Sequence, residues 1–558
     1  MKIYLAKFSS NPMNITANFT RAEKEIYNCA ENGCDVIVFP SGCLIGAPLG
    51  VLSNAEWTYN LYNKKISELC KKAENLGIAV IADILDKNSR KFTPKIKTAN
   101  SEYCFKTKIS NYKCSAVQSS TQLFEDKTLI ADNDIIFINW MESGVAGQKY
   151  LLIDALKKIT AECSAIFVLN TAGSGYTTHP NFYMPIAGIV QNGKADIYYG
   201  FKEISSRPCV FKTDKPDCTC CNADFKNFSL SFPICYNQNP LIPSNVPTKL
   251  YCLDLFDMQS ESLANRLKNI NCKNIVLNLS GGLDSTMALL VCFNAFSMLG
   301  LDKSGMHIFT MPGFGTSSTT KSLAEKLCAD LGLKLNSVDI TDSCRAALIS
   351  IGHDAKTADI TFENVQARTR TMNALNLANQ LNALMIGTGD LSEIALGFST
   401  FGGDQIASYN INCCISKTVM RTMLGYVTDL DMFKCVKDTV NQVLNIPVSP
   451  ELIPGDGKIL QKTEDILAPY KLIDFFIYCT VVSKISPLET ISAAKKTFGD
   501  EFSDEYINAK LRMFYQKFAV GQFKRSCSPE CAIITHTALD NSKCSFASDG
   551  SIDIFYAE

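Results

Sequence analysis

The chain reads as an α/β protein in two parts, and three observations carry that reading. Short apolar runs alternate with stretches of helical period from residue 1 to about residue 235, the same alternation resumes near Leu250, and between them Arg207–Thr248 is rich in Pro, Cys and Asn with no sustained period. The expected division is a domain over 1–235, a linker over 236–249 and a second domain over 250–558. At 558 residues there is ample chain for more than one buried core.

In the first part, strands are expected at Lys2–Lys7, Asp35–Phe39, Ile78–Leu85, Ile135–Trp140 and Ala165–Asn170. Helices are expected at Ile15–Gly33, Trp57–Gly77 and Lys149–Cys163. In the second part the apolar run Asn274–Leu279 reads as a strand that turns at once, through Ser280-Gly281-Gly282-Leu283-Asp284-Ser285, into a long apolar helix. The uncharged stretch Ser285–Leu301 falls short of the roughly 20 residues that span a bilayer, so it reads as a buried helix.

Composition excludes several classes. The formal net charge is −1, with 20% charged and 46% hydrophobic residues, which leaves no global field of the kind that binds nucleic acid or an anionic membrane. The N-terminus has no apolar core of signal-peptide length, so a cytoplasmic setting is expected. In such a compartment the 24 cysteines are expected as free thiols. Neither Cys209, Cys218, Cys220, Cys221 and Cys235 nor Cys527, Cys531, His536 and Cys544 shows the repeated spacing of a zinc site. Four histidines in the whole chain argue against a multi-histidine metal centre or a Ser-His-Asp mechanism.

The Ser280–Ser285 hexapeptide has the makings of a phosphate site. Two glycines let main-chain N–H groups come close to an anion, the following helix adds its positive end, and Asp284 sets a carboxylate where Mg²⁺ could bridge to phosphate. No Gly-Lys-Ser/Thr ending follows, so it is not a Walker A loop.

The hexapeptide resembles the PP-loop of ATP pyrophosphatases. Thr310–Thr316, Thr361–Arg368, Gly387–Glu393, Ser449–Pro454, and Gln461–Asp465 with Ala468-Pro469-Tyr470 are similar to NAD synthetases, in order over nearly all of 250–526. The resemblance implies a doubly wound PP-loop domain, of adenine nucleotide alpha hydrolase type, that adenylates the carboxylate of deamido-NAD with Mg-ATP, releases pyrophosphate and lets ammonia displace AMP. By the same resemblance Ser280, Gly281, Gly282, Leu283, Asp284, Ser285, Thr388 and Lys417 would bind ATP, and Asp284 and Glu393 would ligate Mg²⁺. Asp284, Glu393 and Lys417 would be catalytic. Asn364, Glu393, Phe398, Ser399, Thr400, Phe401 and Lys524 would line the deamido-NAD site, while Arg368 and Arg370 would either bind phosphate or pair with Glu363 or Asp390. It also implies a homo-oligomer, an octamer with paired nitrilase-like domains being one form open to it. The sequence departs from the family at Ser416, where proline is usual before the lysine, and after Arg525, where the family's ending is not recognisable.

Residues 1–235 resemble a shortened nitrilase-like α/β sandwich, the domain that hydrolyses glutamine through a Glu-Lys-Cys triad. Ser41, in Val38-Phe39-Pro40-Ser41, stands where the carboxylate base should be, and Lys106 matches the lysine. No Cys-Glu-Asp follows a strand before residue 235. Ile135–Trp140 is either the nucleophile's strand with its Cys replaced or the next strand with that one deleted, and Cys163 has no carboxylate partner to assign. The expected reading is a synthetase fed by ammonia and joined to a degenerate glutaminase. The alternatives are a fully glutamine-hydrolysing enzyme, another PP-loop enzyme such as a GMP synthetase or a tRNA-thiolating enzyme, and a catalytically altered PP-loop scaffold.

Overall fold

The structure, a computed structural model, describes residues 1–7, 10, 11, 13–46, 52, 55–86, 92–98, 103, 104, 106–117, 130, 132–138, 145–162, 165–170, 186–199, 210–213, 231–315, 318–446, 464, 467–539, 547, 549 and 552–555. They form two compact units, Met1–Ser231 and Phe232–Glu558. The fold class is α/β in both.

The strands of the first unit are β1 (Lys2–Leu5), β2 (Val36–Val38), β3 (Ala79–Leu85), β4 (Phe92–Lys97), β5 (Lys106–Ile109), β6 (Tyr112–Val117), β7 (Ile135–Ile138), β8 (Ile166–Asn170), β9 (Ile186–Gln191), β10 (Lys194–Tyr199) and β11 (Val210–Lys212). They make two sheets, ordered β11-β1-β2-β3-β4 and β10-β9-β8-β7-β6-β5. The period-2 alternation of the strands dictates four layers. Ile3, Leu5, Val36, Val38, Ile81, Ile135, Phe137 and Val168 meet in the core between the sheets. Their neighbours Tyr4, Ile37 and Val80 face outward onto the helices Ile15–Glu31 and Glu56–Glu74, and Ile136, Ile138 and Leu169 face the helix Gln148–Glu162. The result is a helix-sheet-sheet-helix sandwich.

Every strand and helix expected in this unit is present with ends shifted by a few residues; Asn139, Trp140 and Cys163 lie outside the described residues. The strands that sequence reading passed over are the antiparallel ones β4, β5, β9, β10 and β11, and also β6. Lys106-Thr107-Lys108-Ile109 shows why, since a partly exposed edge strand of lysines and threonine has no apolar run to announce it.

In the second unit the parallel sheet is ordered β14-β13-β12-β15-β16, from β12 (Ile275–Asn278), β13 (Met306–Thr310), β14 (Leu335–Ser337), β15 (Leu384–Gly387) and β16 (Tyr409–Asn410). The chain winds outward from β12 to β14, then returns to β15 on the other side of β12. Loops leaving β12 and β15 therefore diverge and open a crevice at their carboxyl ends. Residues 236–247, expected in a linker, run as turns within this unit, and the helix Thr248–Asn269 follows directly. Among the described residues no helix is long and apolar enough to cross a membrane.

Candidate active site

The crevice is a cavity of about 940 Å³ whose wall takes in the β12 loop, the β15 loop and the Phe398–Phe401 turn. On the β12 side, Gly281 is held at φ +83°, and a Cβ there would lie 2.0 Å from the Thr320 carbonyl oxygen, so only glycine fits. Ser280 Oγ and Ser285 Oγ are 3.0 Å apart, and the Gly282 N–H donates to Ser280 Oγ at 3.2 Å, which closes the loop on itself. The helix then runs Leu283–Leu299 from Gly282 as N-cap, two residues earlier than expected, with Asp284 in its first turn. It is apolar nearly all round and buried.

On the β15 side, Asp390 caps the short helix Leu391–Leu396, its Oδ1 accepting from the N–H groups of Ser392 (2.8 Å) and Glu393 (3.1 Å). Its other oxygen lies 2.8 Å from Lys417 Nζ. The same ammonium is 2.5 Å from Asp284 Oδ2 and 2.9 Å from Glu393 Oε1. Lys417 and Asp390 are sealed, at 1% and 0% side-chain exposure, whereas Asp284 and Glu393 keep 22% and 20% and line the cavity.

Three carboxylates around one ammonium leave the cluster short of positive charge. Burial, with Asp390 adding, pushes the Asp284 carboxyl up to about 6 against the pull of Lys417. Burial and the neighbouring Asp390 and Asp284 push Glu393 well above the usual carboxylate range. Burial works against the Lys417 charge, yet the three acids outweigh it and hold that ammonium protonated. Oxygens of Asp284, Asp390 and Glu393 lie within 4.8 Å of one another, and Asp284 Oδ1 is buried without a hydrogen-bond partner. An all-oxygen, anionic set with an orphaned acceptor fits a hard divalent cation such as Mg²⁺.

Three further residues tie the loops together. Asn412, fully buried, donates from Nδ2 to the carbonyl oxygens of Asp284 (3.0 Å) and Thr388 (3.1 Å), and Asn410 donates to that of Gly389 (2.9 Å). Asp474, also buried, accepts from the hydroxyls of Ser392 and Thr418, both at 2.6 Å. Ser416, where proline is usual, has φ −76°, within proline's range, and its hydroxyl caps the helix Lys417–Val427 by accepting from Val419 N–H.

The structure brings together Ser280, Gly282, Leu283, Asp284, Ser285, Asn364, Thr388, Glu393, Phe398, Ser399, Thr400, Phe401 and Lys524 around the one cavity. Thr400 Oγ1 donates to Asn364 Oδ1 at 2.8 Å, and Lys524 Nζ donates to the carbonyls of Gly397 (2.7 Å) and Ser399 (2.5 Å), fixing that turn. Lys417 stands behind the carboxylates instead of on the wall. Arg368 and Arg370 line the cavity and donate to the carbonyl oxygens of Phe401 (3.1 Å) and Met311 (3.0 Å). Ser449–Pro454 lies outside the described residues. Sequence reading missed Asp390, Asn412 and Asp474 as site residues. Only Asp390 carries a local signal: Asp-x-x-Glu before a helix is a capping pattern.

In the first unit Ser41 is buried and its hydroxyl donates to Asp83, whose Oδ2 also accepts from Gly42 N–H at 3.2 Å. A carboxylate thus reaches this turn from β3, which sequence reading missed. Cys43 beside it is fully buried, and burial together with Asp83 pushes its thiol well up. Lys106 is exposed at the start of β5.

Residues 255–503 match the family described as NAD synthase. A glutamine-dependent NAD(+) synthetase from Mycobacterium leprae is 36% identical over 323 residues, covering 53% of this chain and 47% of that protein. One from Acinetobacter baylyi is 28% identical over 246 residues, covering 44% and 42%. The chain thus aligns with about half the length of these relatives. Among solved structures, a glutamine-dependent NAD(+) synthetase from Cytophaga hutchinsonii superposes with a TM-score of 0.72 at 12% identity over 99% of this chain and 98% of that one. Another, from Acinetobacter baumannii in complex with ADP, does so with a TM-score of 0.61 at 15% identity over 98% of each. These two likenesses concern the fold alone. Residues 255–503 thus match the NAD synthase family, and the chain shares the fold of these solved glutamine-dependent NAD(+) synthetases.

Proposed function

We propose that the second unit converts deamido-NAD to NAD with ATP, through an adenylated carboxylate, releasing pyrophosphate and then AMP. The observation that carries this reading is the open pair Asp284 and Glu393, facing a phosphate-type loop from a sealed Lys417–Asp390 base. ATP phosphates would meet the first-turn N–H groups of Leu283, Asp284 and Ser285 at the positive end of the Leu283–Leu299 helix. Asp284 and Glu393 would hold Mg²⁺, which when bound neutralises the charge growing on the departing pyrophosphate. Lys417 keeps three acids together at the site, and Asn412 sets the spacing between the two loops. The substrate carboxylate oxygen bonds to the α-phosphorus as pyrophosphate leaves. Ammonia nitrogen then bonds to the acyl carbon and AMP departs. Asn364, Thr400 and Lys524 would shape the pocket for the dinucleotide.

Ammonia is the nitrogen donor in this reading, supported by Ser41 in the base position and by the burial of Cys43. A second reading, glutamine as donor, is favoured by the names of the relatives and by the Asp83 carboxylate at Ser41. NAD formation from deamido-NAD and Mg-ATP, measured with ammonium chloride in one arm and ammonia-free glutamine in the other, tests both. Product with ammonium alone supports the first reading, equal product with glutamine supports the second, and none in either arm removes the synthetase assignment. A cytoplasmic homo-oligomer belongs to the same proposal.

A further inference from the structure

One group of nucleophilic side chains in the second unit takes no part in that chemistry. Cys413 Sγ lies 3.6 Å from Cys414 Sγ and is also hydrogen-bonded to the Cys531 thiol, 118 residues further along the chain. Cys531 belongs to a late segment laid against the edge of the parallel sheet. The Asn410 N–H donates to the Glu530 carbonyl at 2.9 Å, Cys414 Sγ points to the Ala532 carbonyl at 3.2 Å, and Thr535 Oγ1 donates to the Cys414 carbonyl at 3.1 Å. Arg266 pairs with Glu530 at 2.9 Å.

A second observation points to the same place. The Tyr409 hydroxyl is buried with no hydrogen-bond partner, and the groups acting on it are Cys531, Cys413, Arg266 and Cys414. Arg266 Nε is also buried without a partner. A buried hydroxyl and a buried guanidinium therefore sit in the same polar cluster as the three thiols. Cys413 and Cys531 are partly exposed, so a small reagent can reach them, while Cys414 is buried. A bond between the adjacent Cys413 and Cys414 would close a small strained ring; one between Cys413 and Cys531 would not.

We propose that Cys413 and Cys531 are a redox-active dithiol, oxidised to a disulfide by a low-molecular-weight disulfide such as oxidised glutathione, which staples the segment around Glu530–Thr535 onto β16. Cys531, as thiolate, attacks a sulfur of the small disulfide and releases one equivalent of small thiol, because the neighbouring Cys414 and Cys531 and burial hold the Cys413 thiol protonated. The other protein sulfur then attacks the mixed disulfide and releases the second. The protein gives up two electrons and two protons, and both equivalents of small thiol carry them away. The staple falls on the segment that bears Asn410 and Asn412, whose amides hold Gly389, Asp284 and Thr388, so the oxidation state is read directly by the cavity wall.

The experiment uses the full chain, equilibrated in glutathione buffers of rising oxidised fraction, alkylated and digested for peptide mass spectrometry. The expected product is a Cys413–Cys531 linked peptide, two hydrogen atoms lighter than its parts and about tenfold more abundant than links to Cys414 or to the exposed Cys527. Oxidation should also slow proteolysis of the 526–539 segment in the parent chain and leave it unchanged in Cys531→Ser and Cys413→Ser. Glutathione adducts without the linked peptide, a dominant Cys413–Cys414 link, or equal protection in the serine variants would overturn the proposal. The mass readout needs only the parent chain, so a variant that fails to fold does not rescue it.

Discussion

The Lys417 ammonium lies 2.8 Å from Asp390 Oδ2, and neither side chain reaches solvent, while Asp284 and Glu393 share the same ammonium and stay open to the cavity. One lysine therefore does two kinds of work. Toward Asp390 it completes a sealed ion pair that anchors the β15 loop. Toward the cavity it holds two acids in place without satisfying them.

Replacing Lys417 with Met should be among the most damaging changes in the second unit. It strands three carboxylates in a buried site, and removing one partner of a buried pair costs roughly 3–5 kcal/mol. Asp390→Asn keeps an N-cap acceptor and should cost less. Urea unfolding of both variants checks the order; a Lys417→Met loss under about 1 kcal/mol would show that the acids do not depend on the lysine.

Asp284→Asn should behave in the opposite way. It removes one of three crowded negative charges, so the fold without added metal should be as stable as the parent or more so, yet NAD formation should drop by roughly 10²–10³-fold. Magnesium chloride should raise the parent's thermal midpoint by the equivalent of about 2.7 kcal/mol at a hundredfold excess over its dissociation constant. The variant should show little of this shift. An equal shift in both would move the metal away from Asp284.

Much of this was legible in the sequence where chemistry is local. The β12 strand, the Ser280–Ser285 turn and the apolar helix behind it lie within one continuous stretch, and Glu393 lies in the equally continuous Gly387–Glu393. Strands of the first unit were announced by short apolar runs such as Asp35–Phe39. What stayed hidden depends on distant pairing: Asn412 reaches Asp284 across 128 residues, Asp474 reaches Ser392 across 82, and Asp83 reaches Ser41 across 42. A lone Asn or Asp in a helix, a strand or an irregular segment gives no periodic signal, and its role exists only once distant segments are adjacent.

Asn412 offers a test that separates bulk from polarity. Asn412→Ala removes both hydrogen bonds to the loop carbonyls and should cost roughly 1–3 kcal/mol. Asn412→Asp fills the same space but turns an acceptor toward the Asp284 and Thr388 carbonyl oxygens, so it should lower stability further and raise the KM for ATP more than the alanine does. If aspartate is tolerated better than alanine, the amide is only a spacer.

Asp474 should leave a signature in the pH dependence of stability. Burial pushes its carboxyl up to about 6, above the ordinary 3.8, despite hydrogen bonds from Ser392 and Thr418 that favour the charged form. The folded state therefore binds this proton more tightly than the unfolded one. Its contribution is fully present below pH 3.8 and is lost as pH rises through about 6, with a slope of at most about 1.4 kcal/mol per pH unit in between. Asp284 and Glu393 act in the same direction, so the parent's slope alone does not identify Asp474. Asp474→Asn removes the titrating proton and keeps one acceptor oxygen for the Ser392 and Thr418 hydroxyls. Urea unfolding at intervals between pH 4 and pH 7 should give a curve for the variant that falls less with pH than the parent's. Parallel curves would mean that Asp474 titrates in its place with the ordinary carboxylate value.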